Sequence, residues 1–184
     1  DIFSNSSIHI KIFLTIMIRD KVLLLIKISK KNNLNISVAE SCTGGLLSSS
    51  IIEVPGASDI FNSGFVTYSN IAKIKHLGVN KDILKKFGAV SNETSLAMAK
   101  GLYKISKSNL IVSITGVAGP SGGTLKNPVG TVYFTFGVRQ SKKTITYSTY
   151  RHNFKSKNRV GIQKKSVNYV LDKFIEIART YKLD

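Results

Sequence analysis

The sequence predicts an α/β fold, a sheet covered by helices on both faces. Three observations carry this. Short apolar runs such as Ile36–Ala39 and Leu110–Ile114 are too short and too β-branched for helices and read as buried strands. Longer stretches between and after them repeat apolar residues at helical spacing. Gly and Pro punctuate the chain, yet no linker or repeat divides its 184 residues, so residues 17–184 read as a single domain.

In order along the chain, Ile18, Val22, Leu25 and Ile26 predict a helix over 18–31, ended by the polar stretch Lys30–Asn35. Ile36–Ala39 is a strand. A helix runs from Gly44, with Leu46, Leu47, Ser50 and Ile51 on one side and Pro55-Gly56 as its stop. Gly64–Tyr68 reads as a strand. Asn70–His76 and Asp82–Phe87 are short helices closed by Gly78 and Gly88. Ser91 caps a longer helix, Glu93 complements its positive end, and Leu96, Ala99, Leu102, Tyr103 and Ile105 form its inner face. Leu110–Ile114 is a central strand, followed by a long Gly/Pro loop over Thr115–Val129. Thr131–Val138 and Lys143–Tyr150 form a hairpin or a neighbouring pair of strands, with turn signals at Gln140-Ser141. Val167, Val170, Leu171, Phe174 and Ala178 predict a last helix over 159–181.

The net charge is +17, which invites a nucleic-acid reading. The 27 basic residues are 22 Lys and 5 Arg, spread along the chain. Arg rather than Lys makes bidentate phosphate and base contacts, so this surface is a poor reader of sequence, and no specific nucleic-acid partner is expected. With the abundance of Ile and Asn, the Lys excess reads as base-composition bias. Ile8–Ile28 is broken by Lys11, Arg19, Asp20, Lys21 and Lys27 and does not make a spanning helix, so no membrane association is expected. Cys42 is the only cysteine, which suits a reducing, cytoplasmic setting. His9, His76 and His152 show no metal-ligand spacing with it, so neither metal nor cofactor is expected. The chain starts at Asp1, Met17 would make a natural start, and residues 1–16 read as an extension outside the fold.

Chemistry concentrates at Ser41-Cys42-Thr43-Gly44-Gly45, between a strand and a helix. A helix N-terminus has unpaired N–H groups and partial positive charge, which favour an oxyanion, a phosphate or an ionised nucleophile. The plain alternative makes Ser41 or Thr43 the helix cap. Cys42 is a rival nucleophile, but adjacent side chains point apart, so only one of Ser41 and Cys42 faces a pocket. Base candidates are His76 or His152, oriented by Asp59 or Asp82, and Lys73, which lies just after an apolar strand. Lysine acts as a base only if its surroundings lower its pKa. Ser69, four residues before Lys73, is a competing nucleophile. The loop Thr115–Gly123 is no P-loop, but its backbone could wrap a phosphate.

Taken together, "AESCTGG" (Ala39–Gly45), "VPGAS" (Val54–Ser58), "GFVTYSNIAK" (Gly64–Lys73), "LGV" (Leu77–Val79), "GAVS" (Gly88–Ser91), "TGVAGPSGG" (Thr115–Gly123) and "NPVGTVYF" (Asn127–Phe134) resemble the carboxy-terminal domain of the CinA competence/damage-inducible proteins. The resemblance runs from about Ile36 to Tyr181. It implies a three-layer α/β/α sandwich with a mixed sheet, a homodimer, and the stand-alone form of the domain. It implies a Ser/Lys amidohydrolase that converts nicotinamide mononucleotide to nicotinate mononucleotide and ammonia. By motif, Ser41 becomes the nucleophile, Lys73 its base and Tyr68 a hydrogen-bonding helper. N–H groups around Thr43 and Gly44 would hold the oxyanion, Gly45 joins them as a substrate-binding residue, and the loop Thr115–Gly123, with Thr115, Gly116 and Gly119, would hold the ribose and phosphate. The family's "F-x-G-D-R" stretch is altered here to Phe154-Lys155-Ser156-Lys157-Asn158-Arg159, with Gln163 at a later position that is usually basic. Arg159 is then the expected phosphate partner, Lys164 a substitute, and substrate affinity more affected than chemistry. The competence association also allows a non-catalytic nucleotide-binding or regulatory module.

Overall fold

The computed structural model describes residues 18–141, 144–156 and 158–182, so the extension expected over 1–16 lies outside the described residues. Five strands form one sheet in the order β2-β1-β3-β4-β5: β1 (Ile36–Glu40), β2 (Phe61–Val66), β3 (Leu110–Gly116), β4 (Thr131–Arg139) and β5 (Ile145–Asn153). β1 runs parallel to β2 and β3, while β3–β4 and β4–β5 are antiparallel, so the sheet is mixed. Six helices cover it: α1 (18–31), α2 (Leu46–Ile52), α3 (Asn70–Leu77), α4 (Lys81–Phe87), α5 (Asn92–Ser106) and α6 (Arg159–Thr180).

The layers follow from the alternation of side chains along buried strands. Ile36 and Val38 of β1 share a face with Leu110, Val112 and Ile114 of β3. They pack with Val22 and Leu25 of α1, Leu47 and Ile51 of α2, and Val167, Val170, Leu171 and Phe174 of α6. Ala39 and Ile111 point the other way and meet Leu77 of α3, Leu84 of α4, and Met98, Ala99 and Leu102 of α5. The second layer is smaller and more polar. Ser95 of α5, Ser113 of β3, Thr135 of β4 and Thr149 of β5 form a chain of hydroxyl contacts at 2.8–3.1 Å.

Ser69, Asn80, Ser91 and Asn158 cap α3, α4, α5 and α6, each accepting from a first-turn amide. β2 begins three residues before the expected Gly64 and ends at Val66, because pairing with β1 draws in the polar-looking Phe61-Asn62-Ser63. Tyr68 therefore lies beyond the strand. The inner face of α5 is also rotated from expectation: Ser95, Met98 and Gly101 face inward and Ile105 is exposed. Two contacts set this rotation. Ser95 finds its hydroxyl partners on the sheet, and Gly101 lies against the backbone carbonyl of Leu77. Among the described residues no helix is long and apolar enough to cross a membrane.

A Cβ at position 101 would strike main chain rather than a flexible side chain. Gly101→Ala is therefore expected to destabilise the fold by about 1–3 kcal/mol through forced separation of α3 and α5. Urea denaturation would measure this; an unchanged midpoint would contradict the close packing.

Candidate active site

β1 ends in Glu40, and Ser41 follows. Successive side chains leave opposite faces, so Glu40 points toward α2 and Ser41 toward the layer that contains α3. Glu40 is fully buried. Gly44 and Gly45 have φ of +63° and +95°, which turns the chain back sharply enough for α2 to begin over the end of its own strand. The amides of Gly45 and Leu47 then donate to Glu40 Oε2, both at 3.1 Å. The Ser48 amide and hydroxyl donate to Oε1 at 2.8 and 2.6 Å. One carboxylate thus satisfies the amides that a helix start leaves without partners. This overturns the plain reading in which Ser41 or Thr43 caps α2. The Thr43 hydroxyl is buried with no hydrogen-bond partner among the described residues.

Ser41 is fixed by its own amide, which extends the sheet by donating to the carbonyl of Ile114 at 2.9 Å. Its Oγ accepts from Lys73 Nζ at 3.0 Å. Lys73 comes from the first turn of α3 and is 1% exposed. Its amine also donates to the carbonyls of Thr67 at 2.8 Å and Tyr68 at 3.4 Å. None of these acceptors carries a charge. Burial therefore pulls the lysine pKa from 10.5 down to about 8, against a small opposing effect of Cys42. A lysine with this pKa supplies a free-base fraction near neutral pH that an ordinary lysine lacks, and it touches the hydroxyl it would activate.

The competing groups fall away on geometry or, for Cys42, on protonation. Cys42 packs into the apolar layer of α1, α2 and α6. Burial, with help from Glu40, pushes its thiol up to about 12, although its own amide, Lys73 and Arg159 pull the other way. Such a thiol stays protonated and is a poor nucleophile. Ser69 is the cap of α3 and accepts from the Ala72 amide at 3.0 Å. His152 is enclosed by Phe134, Phe154 and Tyr169, His76 is exposed on α3, and Asp59 pairs with Lys30.

A cavity of about 300 Å³ opens over the pair. Ser41, Cys42, Lys73 and Tyr68 form one side, Ala89 and Val90 a second, and the loop from Thr115 to Gly122 a third. Thr115 and Gly116 end β3, and the Thr115 hydroxyl donates to the carbonyl of Ala89 at 2.6 Å, tying two walls together. Gly119 lies in the same wall. Arg159, the first residue of α6, closes the remaining side, and among the described residues it has no hydrogen-bond or ion-pair partner. Tyr68 meets the lysine through its carbonyl, and its side chain is 63% exposed at the cavity edge. Thr43, Gly44 and Gly45 lie behind Ser41 and do not line the cavity. Of their amides, that of Gly44 donates to the carbonyl of Ser41 and that of Gly45 to Glu40. The Thr43 amide has no acceptor among the described residues, and neither has that of Cys42.

Sequence reasoning gave no role to Glu40. The available signal was a carboxylate at the end of a buried strand, which requires donors, followed by the Gly-Gly turn that could bring them. Ala89 and Val90 were also missed, since two small apolar residues before a helix cap carry no chemical signature.

Residues 20–178 match the CinA C-terminal domain family. A CinA-like protein of Endomicrobium trichonymphae is 48% identical over 142 residues, which cover 77% of this chain and 32% of that protein. A CinA-like protein of Thermotoga neapolitana is 44% identical over 148 residues, covering 80% of this chain and 35% of that one. The chain thus spans about a third of the length of these relatives. The crystal structure of a competence/damage-inducible protein from Agrobacterium tumefaciens superposes with a TM-score of 0.81 at 35% identity, covering 87% of this chain and 94% of that one. A competence damage-inducible protein from Klebsiella pneumoniae gives 0.83 at 25% identity, covering 90% and 99%.

Two outcomes are expected from the site's electrostatics. Between pH 8 and 10.5 the unfolded chain holds a proton on Lys73 that the fold has released, so this residue makes stability rise with pH across that window. The difference in melting temperature between Lys73→Met and the parent should therefore move in the parent's favour as the pH is raised from about 8 to about 10. A constant difference would contradict the lowered pKa. Glu40→Gln, which sets an NH2 group against amide donors, should cost about 2 kcal/mol or more in urea denaturation; a neutral effect would show that the cap is dispensable.

Proposed function

The chain belongs to the CinA C-terminal domain family, and from that premise we propose that it is a Ser/Lys amidohydrolase that deamidates nicotinamide mononucleotide. The observation that carries this reading is the contact between Ser41 Oγ and the buried, partly deprotonated Lys73 amine at 3.0 Å. Neutral Lys73 removes the Ser41 proton as Oγ attacks the carboxamide carbon. It then gives that proton to the departing nitrogen, which leaves as ammonia. The acyl group rests on Ser41 as an ester. Lys73 next takes a proton from the attacking water and returns it to Ser41 Oγ as the ester breaks, releasing nicotinate mononucleotide. The Cys42 amide, in the cavity wall, and the Thr43 amide behind it have no acceptor among the described residues, and they are the main-chain donors offered to the developing oxyanion.

The walls of the cavity suit a nucleotide. Arg159 supplies a cation with no hydrogen-bond or ion-pair partner among the described residues, and the glycine-containing loop from Thr115 to Gly122 lets main chain approach ribose and phosphate. A volume of about 300 Å³ stands at the lower end of small-molecule sites, which fits a mononucleotide better than a dinucleotide. The cavity offers a single arginine for the phosphate, so substrate affinity depends heavily on that residue.

Ammonia release from nicotinamide mononucleotide tests the proposal. Ser41→Ala and Lys73→Ala should each lose at least about a thousandfold in kcat, and Cys42→Ser should retain most activity. In the parent, kcat/KM should climb with pH and level off above about 8, as the Lys73 amine loses its proton. Arg159→Ala should raise KM for the mononucleotide far more than it lowers kcat. Activity that survives Ser41→Ala would remove Ser41 as nucleophile. Binding of the nucleotide by well-folded parent protein without ammonia release would favour a non-catalytic nucleotide-binding module.

A further inference from the structure

Gln163 stands one turn into α6, beyond Arg159, and its side chain reaches across to the nucleophile turn. Its Nε2 donates to the carbonyl of Cys42 at 2.9 Å, a contact between residues 121 positions apart in sequence. That carbonyl belongs to the peptide unit joining Cys42 to Thr43. A trans peptide is planar, and its C=O and N–H point in opposite directions. This unit is trans, the cis bond among the described residues being Gly119–Pro120. The hydrogen bond that draws the Cys42 carbonyl toward α6 therefore turns the Thr43 N–H away from α6. α6 packs on the face of the sheet shared with α1 and α2, whereas Ser41 Oγ meets Lys73 on the other side.

The other amides of the turn narrow the choice to two. The Ser41 amide is held by Ile114, the Gly44 amide by the carbonyl of Ser41, and the Gly45 amide by Glu40. The Cys42 and Thr43 amides have no acceptor among the described residues and belong to residues only 4% and 2% exposed, and of the two the Thr43 amide is the one in the peptide that Gln163 holds. An unpaired buried amide is rare in a folded protein. It is also what an oxyanion site presents before its substrate arrives: a donor already oriented and already desolvated.

We infer that Gln163 is a positioning residue that clamps the Cys42–Thr43 peptide so that the Thr43 N–H is aimed at the oxyanion formed on Ser41. The inference rests on the amidase reading above and extends it to a residue outside the cavity wall. Gln163 does not touch the reacting atoms; it acts through the peptide it holds. Its amide is neutral, so the clamp adds no cation beside Lys73.

Steady-state ammonia release by Gln163→Ala, Gln163→Glu and Gln163→Lys tests this, with the Thr43 amide resonance of 15N-labelled protein as a readout that requires no turnover. Gln163→Ala frees the peptide, and its kcat should fall about tenfold or more with KM nearly unchanged, since an oxyanion donor acts in the transition state. Gln163→Glu removes the donor and sets an acceptor against the carbonyl, so it should fall at least as far. Gln163→Lys restores a donor of similar reach and should recover most of the loss. The Thr43 amide signal should shift or broaden in the Ala and Glu variants and return toward its parent position in the Lys variant. A raised KM with unchanged kcat would overturn the positioning role in favour of direct substrate binding. Unchanged kcat together with an unmoved Thr43 signal would overturn it outright. If the parent itself releases no ammonia, the amidase reading and the oxyanion role fail together. The clamp then stands or falls on the Thr43 signal in Gln163→Ala alone.

Discussion

The buried carboxylate of Glu40 holds the centre of this structure together. It gathers two amides on one oxygen and an amide and a hydroxyl on the other, all from the turn and the first residues of α2. These donors keep α2 seated on the end of β1 and keep the Gly44-Gly45 turn closed. They also complete the charge's hydrogen bonding from within the protein, so Glu40 needs no cation. The consequence for Lys73 is direct. A carboxylate on the lysine side of β1 would hold the amine charged; with Glu40 committed to the opposite side, Lys73 is surrounded by a hydroxyl and two carbonyls.

The two faces of the sheet divide the work. The layer of α1, α2 and α6 is broad and apolar and includes the aromatic cluster around Phe134, Phe136, Tyr169 and Phe174. The layer of α3, α4 and α5 is thinner and threaded by hydroxyls. The reactive pair sits on the thinner side, where a lysine can be buried beside polar groups. A lysine in so dry a place opposes folding at neutral pH. The apolar layer across the sheet offsets that cost.

Much of this was legible in the sequence. Strands β1 and β3 were marked by short apolar runs and helices α1 and α6 by helical periodicity, and the pairing of Ser41 with Lys73 was expected from motif and chemistry. What escaped depends on contacts between distant segments. The early start of β2 is set by its partner strand rather than by its own composition. The rotation of α5 follows from Ser95 meeting Ser113 and Thr135, and from Gly101 meeting Leu77, none of which periodicity registers. Glu40 looked like part of a motif with no role of its own, because its partners lie across a turn whose closure only the glycine dihedrals reveal. Gln163 looked like a lost basic residue, whereas its neutral amide has a specific acceptor in the turn.

Glu40 and Ser41 are consecutive, and they depend on opposite sides of one strand. A one-residue slip of β1 between β2 and β3 would exchange their directions. The carboxylate would enter the lysine's layer and the hydroxyl the apolar one, so helix capping and the reactive pair would vanish in the same step. A mispaired chain that is stable but inactive is thereby disfavoured. Correct threading of the central strand and competence for chemistry are inspected by the same two side chains, and any molecule that passes one inspection has passed the other.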